Sequence, residues 1–468
     1  MAQSSRYSSV PALSVAALLL LTIGFPLPPA ASAMESVDFS QAVARALSNN
    51  AFVLVAEEEA IAARSDADAA RGHLLPSVRF DERFARTTVP AEAFALKMNQ
   101  GMLLPSDFAD VNNFNSPSPR NDFIGTLSLE QPIFAPKAYR GYGMAKVEAD
   151  AKGQDLYRRK EDVVYRVVAA VLDVVTTRQF VEVAAQGLSD AREHLRIAET
   201  LEAAGMGLAS DVLRAKVAVA SAEGAKVVAG NRLELARRRL ALAMGEPGAP
   251  PVDVVGPLPE FPDPGAPLDN GTGMTGRADL RASSLRVANA GSNVELRRSG
   301  YLPDVGFAAA YQVDAEDSPF STDSRSWRVG VGLTWNLFDG MRREAEVGKA
   351  AAELRRAQAY DRGVRDQAAF EAAQADLGVK EATLRAEIAR AALASAEAGV
   401  RLLTSRYENR LGRMVDLLDA QTALDAARAA RIRAENDVRL SRAQRLYASG
   451  GLLSLVAPNA ENAKEKIR

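Results

Sequence analysis

The amino-acid sequence predicts a mainly helical protein that also carries a membrane β portion. Two long stretches, from Pro136 to Pro247 and from Pro319 to Pro458, have no proline between their ends and are rich in Ala, Arg, Glu and Leu, which indicates long helices. Shorter segments between them have apolar residues at every second position, as is typical of β-strands. The same order of segments occurs twice along the chain.

The composition of the 468 residues excludes several classes of protein. Because there is no cysteine, disulfides, thiolate metal sites, iron–sulfur clusters, thiol catalysis and a lipid on an N-terminal cysteine are excluded. The formal net charge of -2 gives no electrostatic reason to expect a nucleic acid partner. Aromatic residues make up only 6% of the chain, which favours thin, closely packed layers over a bulky globular core.

The first 33 residues have the pattern of a secretory signal. Arg6 is followed by an apolar stretch at 12–25 and by Ala31, Ser32 and Ala33, which match a small-residue cleavage site. An uncleaved membrane anchor is the alternative, but the apolar stretch is shorter than the ~20 residues that a spanning helix needs. No later segment predicts a spanning helix, so we expect an exported protein.

The two proline-free stretches carry heptad patterns of apolar and small residues. In the first, steps of four and three join Val163, Val167, Ala170, Val174, Thr177, Val181, Ala184, Leu188, Ala191, Leu195 and Ala198. In the second, the pattern runs through Leu377, Leu384, Ile388, Ala391, Ser395, Ala398 and Leu402. These patterns predict coiled-coil seams between closely spaced helices. A single helix from Lys137 to about Ala203 would be ~100 Å long.

Four segments between the helices predict two β-hairpins. The alternating apolar residues are Val78, Phe80 and Phe84, then Phe123, Leu127 and Leu129, then Val305, Phe307, Tyr311 and Val313, and last Trp327, Val329, Val331, Leu333 and Trp335. One apolar and one polar face suit strands between lipid and water. Four strands cannot close a barrel alone, so a soluble hairpin pair packed on the helices is the alternative. The connections at 87–120 and 314–326 are predicted to be loops.

The two halves of the chain correspond to each other. Leu75-Pro76 matches Leu302-Pro303, Pro132 to Phe134 matches Asn336 to Phe338, and Ser210 to Ala215 matches Val415 to Ala420, the last two at an offset of about 205. We therefore expect a signal peptide at 1–33, a first structural repeat at 34–245, a Pro- and Gly-rich linker at 246–274, a second repeat at 275–450 and a C-terminal tail at 451–468.

Catalytic patterns are weak, and we expect no enzyme and no cofactor or metal. The two histidines lie far apart in the sequence. His194 stands next to the seam position Leu195, so its side chain is expected to be exposed on a helix. Gly205-Met206-Gly207 follows a helix and has no adjacent Lys-Ser/Thr, so it predicts a helix–helix turn rather than a phosphate loop. Asp416 and Asp419 share one helix face. They lack the partners of a hydrolytic site, and in a monomer they would be ordinary surface carboxylates.

The order of short motifs resembles the TolC-like outer-membrane efflux family over essentially the whole mature chain. The motifs are Phe39 to Asn50, the Leu-Pro before each first strand, Leu337 to Gly340 after the last strand, and Arg406-Tyr407 followed by Asp416 to Gln421. The resemblance implies a homotrimer in which four strands per chain complete a 12-stranded barrel in outer-membrane lipid. A long coiled-coil helical tunnel would continue the barrel through the periplasm.

The resemblance also implies a function and partners. Solutes would leave through the channel after an inner-membrane pump and a periplasmic adaptor (membrane fusion) protein dock at the helical tip. The substrate and the pump stay open, since drug efflux, metal efflux and type I protein secretion share this architecture. Two other classes stay in view. A secreted or periplasmic structural coiled coil does not explain Trp327 and Trp335 on a hairpin, and a general diffusion porin does not explain the long helices.

A periplasmic gate at the helix–helix turns is implied by the same resemblance. It assigns the gate and selectivity residues to Asp416 and Asp419, and an interhelical lock to Tyr407 and Asp211. Threefold symmetry would bring six carboxylates around one axis, where they would attract cations and raise the pKa values of some of them.

Two positions depart from the family pattern at this gate. The glycine that the family usually has six residues before the first aspartate is Arg410 here, and the first-half match to Asp419 is Arg214. The arginine of the lock is therefore expected to be Arg410 or Arg413, and the sequence does not decide between them.

Overall fold

The computed structural model describes residues 35–258, 260–262, 274, 276–321 and 324–456. The predicted signal peptide lies outside these residues, as do most of the predicted linker's second half and the end of the predicted C-terminal tail.

Helices make up most of the described chain. The longer ones are α1 (Phe39–Asn49), α2 (Ala51–Gly72), α5 (Pro136–Ala203), α6 (Ala209–Ala243), α7 (Ala278–Arg298), α8 (Arg342–Glu408) and α9 (Met414–Ser449). Three shorter ones are α3 (Pro90–Asn99), α4 (Asn112–Asn115) and α10 (Leu452–Val456). α5 and α8 contain 68 and 67 residues, so each is ~100 Å long. The predicted helix from Lys137 to about Ala203 is confirmed.

Among the described residues, the strands form two separate sheets. β1 (Glu35–Val37) pairs in parallel with β4 (Val252–Val254), which lies inside the predicted linker and was not expected. The larger sheet contains β2 (Ser77–Thr87), β3 (Arg120–Phe134), β5 (Asp304–Ala315) and β6 (Ser324–Thr334). Its strands are antiparallel in the order β2-β3-β5-β6. The two hairpins therefore lie side by side, and β2 and β6 are the edge strands.

The larger sheet has one apolar and one polar face. Residues opposite each other in neighbouring strands share a face. The apolar face carries Val78, Phe80, Phe84, Phe123, Leu127, Leu129, Val305, Phe307, Tyr311, Val313, Trp327, Val329, Val331 and Leu333. The polar face carries Arg79, Asp81, Arg83, Thr126, Ser128, Ala308, Ala310, Gln312, Ser326, Arg328, Gly330 and Gly332.

The connection at 87–120 is more ordered than the predicted loop. It contains α3, α4 and a short 3-10 helix at Pro105–Phe108. Pro90 stands in the first turn of α3, where its missing N–H costs nothing. Phe94, Phe108 and Phe114 pack together with ring centroids 5.1 to 6.0 Å apart. This aromatic cluster gives the connection a small core of its own.

The main core surrounds the middle of α5. Val163, Val167 and Val174 are at most 1% exposed there and pack against α1, α6, β4 and α10. The predicted heptad seam of the first stretch is thus confirmed over its first part, since its valines there are buried against other elements of the same chain.

The predicted seam of the second stretch is wrong within the chain. Leu377, Leu384, Ile388 and Leu402 are 55 to 68% exposed. The buried face of α8 instead carries Ala368, Ala372, Ala375, Val379, Ala382 and Ala386, whose small side chains let helices pack closely. Leu377, Leu384 and Ile388 each stand two residues after a buried alanine of this seam. Two residues along a helix correspond to about 200° of rotation, so these side chains lie roughly on the opposite side of α8.

Candidate functional site

Two helix–helix turns form one end of the long helices. α5 ends before Gly205, whose φ is 70°, and α8 ends before Arg410, whose φ is 64°. In each turn the next N–H bonds to the carbonyl five residues earlier, which is the Schellman motif that satisfies the last carbonyls of a helix. Arg410 contacts Met206 of the other turn, so the two turns lie side by side. We call these turns and the adjoining helix ends the tip.

The conformation of Arg410 shows why the family usually has glycine at this position. A left-handed backbone favours glycine, because other residues bring Cβ close to the following carbonyl. Arg410 occupies the position that matches Gly205 in the first half, at the offset of 205. The turn therefore keeps its geometry with a strained residue.

Replacing Arg410 by glycine is expected to stabilise the folded chain by about 1 kcal/mol, because a left-handed non-glycine residue costs roughly 1–2 kcal/mol. Thermal unfolding monitored by circular dichroism measures the effect. The reverse change at the matching position, Gly205→Arg, should lower the unfolding temperature. A lower unfolding temperature for Arg410→Gly would show that the arginine's contacts outweigh the strain.

Tyr407 and Asp211 are brought together at the tip. Tyr407 is 5% exposed and packs in a small core with Ala198, Val212, Ala215, Met414 and Leu417. The carboxylate of Asp211, at the start of α6, lies near its hydroxyl and interacts with it. Burial, followed by the charge and hydrogen bond of Asp211, raises the pKa of Tyr407. The phenol therefore stays neutral, and its interaction with the carboxylate links α8 to α6.

Asp416 and Asp419 lie in the first turns of α9. Asp416 is 39% exposed in its side chain and pairs with Arg413, whose Nη2 lies 2.9 Å from Oδ1. The hydrogen bond from Arg413 lowers the pKa of Asp416. Asp419 is exposed, and its charge also acts on Arg413. Within one chain the pKa of Asp416 is therefore lowered, whereas the effect of six crowded carboxylates stays a prediction.

The structure separates the two candidate arginines of the lock. Arg413 pairs with Asp416, and Arg410 contacts Met206. Within the described chain, neither arginine forms an ion pair with Asp211. The tyrosine and aspartate of the predicted lock are thus in contact, while both arginines lie outside it.

His194 is not exposed as predicted, but buried. It is 5% exposed, and its Nε2 lies 3.4 Å from Oε1 of Gln421 on α9. Gln421 donates to Asp190 at 2.9 Å, and Arg428 also pairs with Asp190 at 3.0 Å. The missed signal is spacing: His194 stands three residues after the buried Ala191 and four before the buried Ala198, so it shares their helix face.

The chain matches a known protein family along most of its length. A family model described as "Outer membrane efflux protein" matches residues 42–246 and 275–452. The chain belongs to this outer membrane efflux protein family. The family's proteins are channels and not enzymes. Among the helices of the described residues, none is long and apolar enough to cross a membrane.

Individual relatives agree with the family. The chain is 25% identical over 368 residues to the outer membrane efflux protein BepC of Brucella suis, covering 74% of this chain and 77% of that protein. It is 28% identical over 342 residues to the protein CyaE of Bordetella pertussis, covering 69% of each. The crystal structure of the Campylobacter jejuni CmeC outer membrane channel superimposes with a TM-score of 0.76 at 19% identity. That match covers 92% of this chain and 89% of CmeC, and it shows the TolC-like fold.

Proposed function

We propose that this efflux protein is one subunit of a homotrimeric channel-tunnel that carries solutes across the outer membrane. The observation that carries the proposal is the four-stranded sheet, which has an apolar face and two unpaired edges. The family membership supports an outer-membrane location, and the length of α5 and α8 supports a tunnel that extends into the periplasm.

The edge strands argue for a shared barrel. In hydrocarbon, each unsatisfied backbone N–H or C=O group costs several kcal/mol, so an open sheet edge is not tolerated. The smallest membrane barrels have about eight strands, twice the number in this sheet. Pairing of β2 with β6 of the next chain would close a barrel, and three chains would contribute 12 strands in total.

The two faces of the sheet fit opposite sides of such a barrel. On the apolar face, Val78 is 65% exposed, Val331 67% and Trp327 77%. These side chains would contact lipid, and the small and polar side chains of the other face would line water, as in known membrane barrels.

The exposed stripes on the long helices support contacts between chains. α8 exposes Leu377, Leu384, Ile388 and Leu402 on the side away from its alanine seam. α6 exposes Leu213, Val217, Val227, Leu235 and Leu242. Stripes of this size are unusual on a monomer surface and mark interaction sites. In the trimer they would pack between neighbouring subunits and form the wall of the tunnel.

The tip would be the periplasmic gate. In this proposal, the Tyr407–Asp211 contact holds α8 against α6 in the closed state, and Asp416 and Asp419 of three chains form the charged ring at the axis. A periplasmic adaptor and an inner-membrane pump would dock there. The chain would consist of two structural repeats, 34–245 and 275–450, joined by the linker at 246–274.

The alternative is a structural coiled coil without channel activity. It does not explain the apolar face of the sheet, which a soluble protein would expose to water. Single-channel recording in planar bilayers separates the two functions. The purified protein should give stepwise currents if it is a channel, and a membrane that stays silent would support the structural coiled coil.

The orientation of the barrel gives a test in intact cells. Because the helices leave the sheet at the end opposite to the connections at 87–120 and 314–326, these connections should face outside. A protease added to intact cells should cut recognition tags inserted at Ser116 or Ser321. A tag at Gly207 in the tip serves as the control and should be cut only after the outer membrane is opened. Cleavage of the Ser116 and Ser321 tags only after opening would refute the orientation.

A further inference from the structure

Three buried polar side chains meet where the connection at 87–120 folds over the polar face of the sheet. Asp122 on β3 is 0% exposed, Asp314 on β5 is 2% exposed, and Gln100 after α3 is 3% exposed. Asp314 pairs in register with Ile124, so Asp122 and Asp314 are diagonal neighbours, roughly 7–8 Å apart between their backbones. Two buried carboxylates and a buried amide thus lie close together.

Hydrogen bonds fix the orientation of the Gln100 amide. Its Nε2 donates to the backbone carbonyl of Asn121 at 2.7 Å and to Oδ1 of Asp122 at 3.0 Å. Both partners accept hydrogen bonds, so a flipped amide would place an oxygen against two other oxygens. Oε1 of Gln100 and Oδ2 of Asp122 are left buried without a hydrogen-bond partner among the described residues. Unpaired buried groups of this kind commonly bind an ion or an ordered water.

The nearest cation on the same face is Arg83, which pairs in register with Ile124 between the two carboxylates but forms no ion pair with either of them among the described residues. The nearby Lys97 pairs with Asp107 at 2.5 Å, and Arg120 pairs with Glu316 at 3.0 Å. Arg83 and the backbone N–H of Ala315 add weaker attractions at Asp122. Gln312 donates to Asp314 at 2.8 Å. In the described part of the chain, neither carboxylate forms an ion pair, although a buried charge without a counter-charge is costly.

We propose that Asp122, Asp314 and Gln100 bind a calcium ion. Oδ2 of Asp122, the carboxylate of Asp314 and Oε1 of Gln100 are hard oxygen donors, and water would complete the shell. Ca²⁺ accepts six to eight oxygens in irregular geometry, whereas Mg²⁺ requires a near-octahedral set. The described residues hold no group of three or more His, Asp or Glu side chains suited to a metal, and the proposed site differs from such a group because one of its three side chains is an amide. With two carboxylates, the site should be weak, with a Kd of about 10⁻⁴–10⁻³ M as in extracellular modules.

The bound ion would fix the connection at 87–120 over the polar face. Gln100 directly follows α3, and the other two ligands lie on neighbouring strands of the sheet. The ion would therefore tie α3 to the inside of the barrel mouth. The ion's access from outside the cell rests on the proposed orientation, but binding by the purified protein does not.

Calorimetric titration of the detergent-purified full chain with CaCl₂ tests the site. Wild type should bind one ion per chain, and Asp122→Asn or Asp314→Asn should weaken binding at least tenfold. Asp81→Asn is the matched control, because Asp81 is an exposed carboxylate on the same polar face. It should bind like wild type. Absence of wild-type binding up to 10 mM calcium, or unchanged binding in both variants, would overturn the proposal.

A second measurement needs no variant. Crystals of the wild-type protein grown with CaCl₂ should give an anomalous difference peak between Asp122, Asp314 and Gln100. A map without that peak, as expected if the two carboxylates only share a proton, would overturn the calcium site. Channel currents that persist in a protein without calcium binding would leave the proposed channel function in place, so the two failures are distinguishable.

Discussion

Replacing Tyr407 by Phe together with Asp211 by Ala is expected to raise the resting conductance of the channel about tenfold or more. The change removes the interaction of the buried Tyr407 hydroxyl with the carboxylate of Asp211, which links α8 to α6. Hydrogen bonds to charged groups contribute about 1.5–3 kcal/mol, and about 1.4 kcal/mol changes an equilibrium tenfold. The closed arrangement of the tip should lose that stabilisation. Single-channel current in planar bilayers at a fixed small potential measures the change.

A matched control lies in the same helices. The hydroxyl of Tyr447 on α9 donates to Asp162 on α5 at 2.6 Å, far along the helices from the tip. Tyr447→Phe together with Asp162→Ala removes the same kind of bond and should leave the resting current unchanged. If both pairs of substitutions raise the current equally, general loosening of the helices explains the effect, and Tyr407 has no special role at the gate.

Replacing Asp416 and Asp419 together by Ala should weaken cation selectivity and the block by multivalent cations from the periplasmic side. Arg413 holds the pKa of Asp416 below its ordinary value, so this carboxylate is ionised at neutral pH. Six carboxylates around one axis would concentrate cations at the constriction. The reversal potential under a salt gradient should therefore move toward zero in the variant.

The control for the aspartates removes the same charge elsewhere. Glu58 and Asp66 are exposed on α2, which pairs with α5 near Lys152 and Lys160, far along the helix from the tip. Glu58→Ala with Asp66→Ala should leave the reversal potential and the block as in wild type. If the aspartate variant also keeps both properties, Asp416 and Asp419 are ordinary solvent-exposed carboxylates.

The sequence predicted the long helices and the strands because their signals are local. The absence of proline and the uninterrupted heptad pattern are sufficient to predict α5. The alternation of apolar residues is sufficient to predict β2, β5 and β6. The short strands β1 and β4 lack such a signal, since three residues show no period and their pairing joins distant parts of the chain.

Other features depend on tertiary contacts that one sequence does not reveal. On α8, alanines and leucines both follow heptad steps, and the sequence does not say which set meets α9 and which faces outward. The contact of Tyr407 with Asp211 was implied by the family resemblance, whereas the left-handed backbone of Arg410 became visible only in the structure. The cluster of Asp122, Asp314 and Gln100 joins three distant segments and has no sequence motif.

The number of chains in the assembly is the central claim, since the barrel, the tunnel and the ring of carboxylates all require three. Light scattering from the detergent-purified protein should give a protein mass three times that of one mature chain. Ile388→Asp should reduce the mass to that of one chain, because Ile388 is 68% exposed in the single chain and would be buried between subunits. A wild-type mass of one chain, with β2 and β6 protected from hydrogen exchange, would contradict the account.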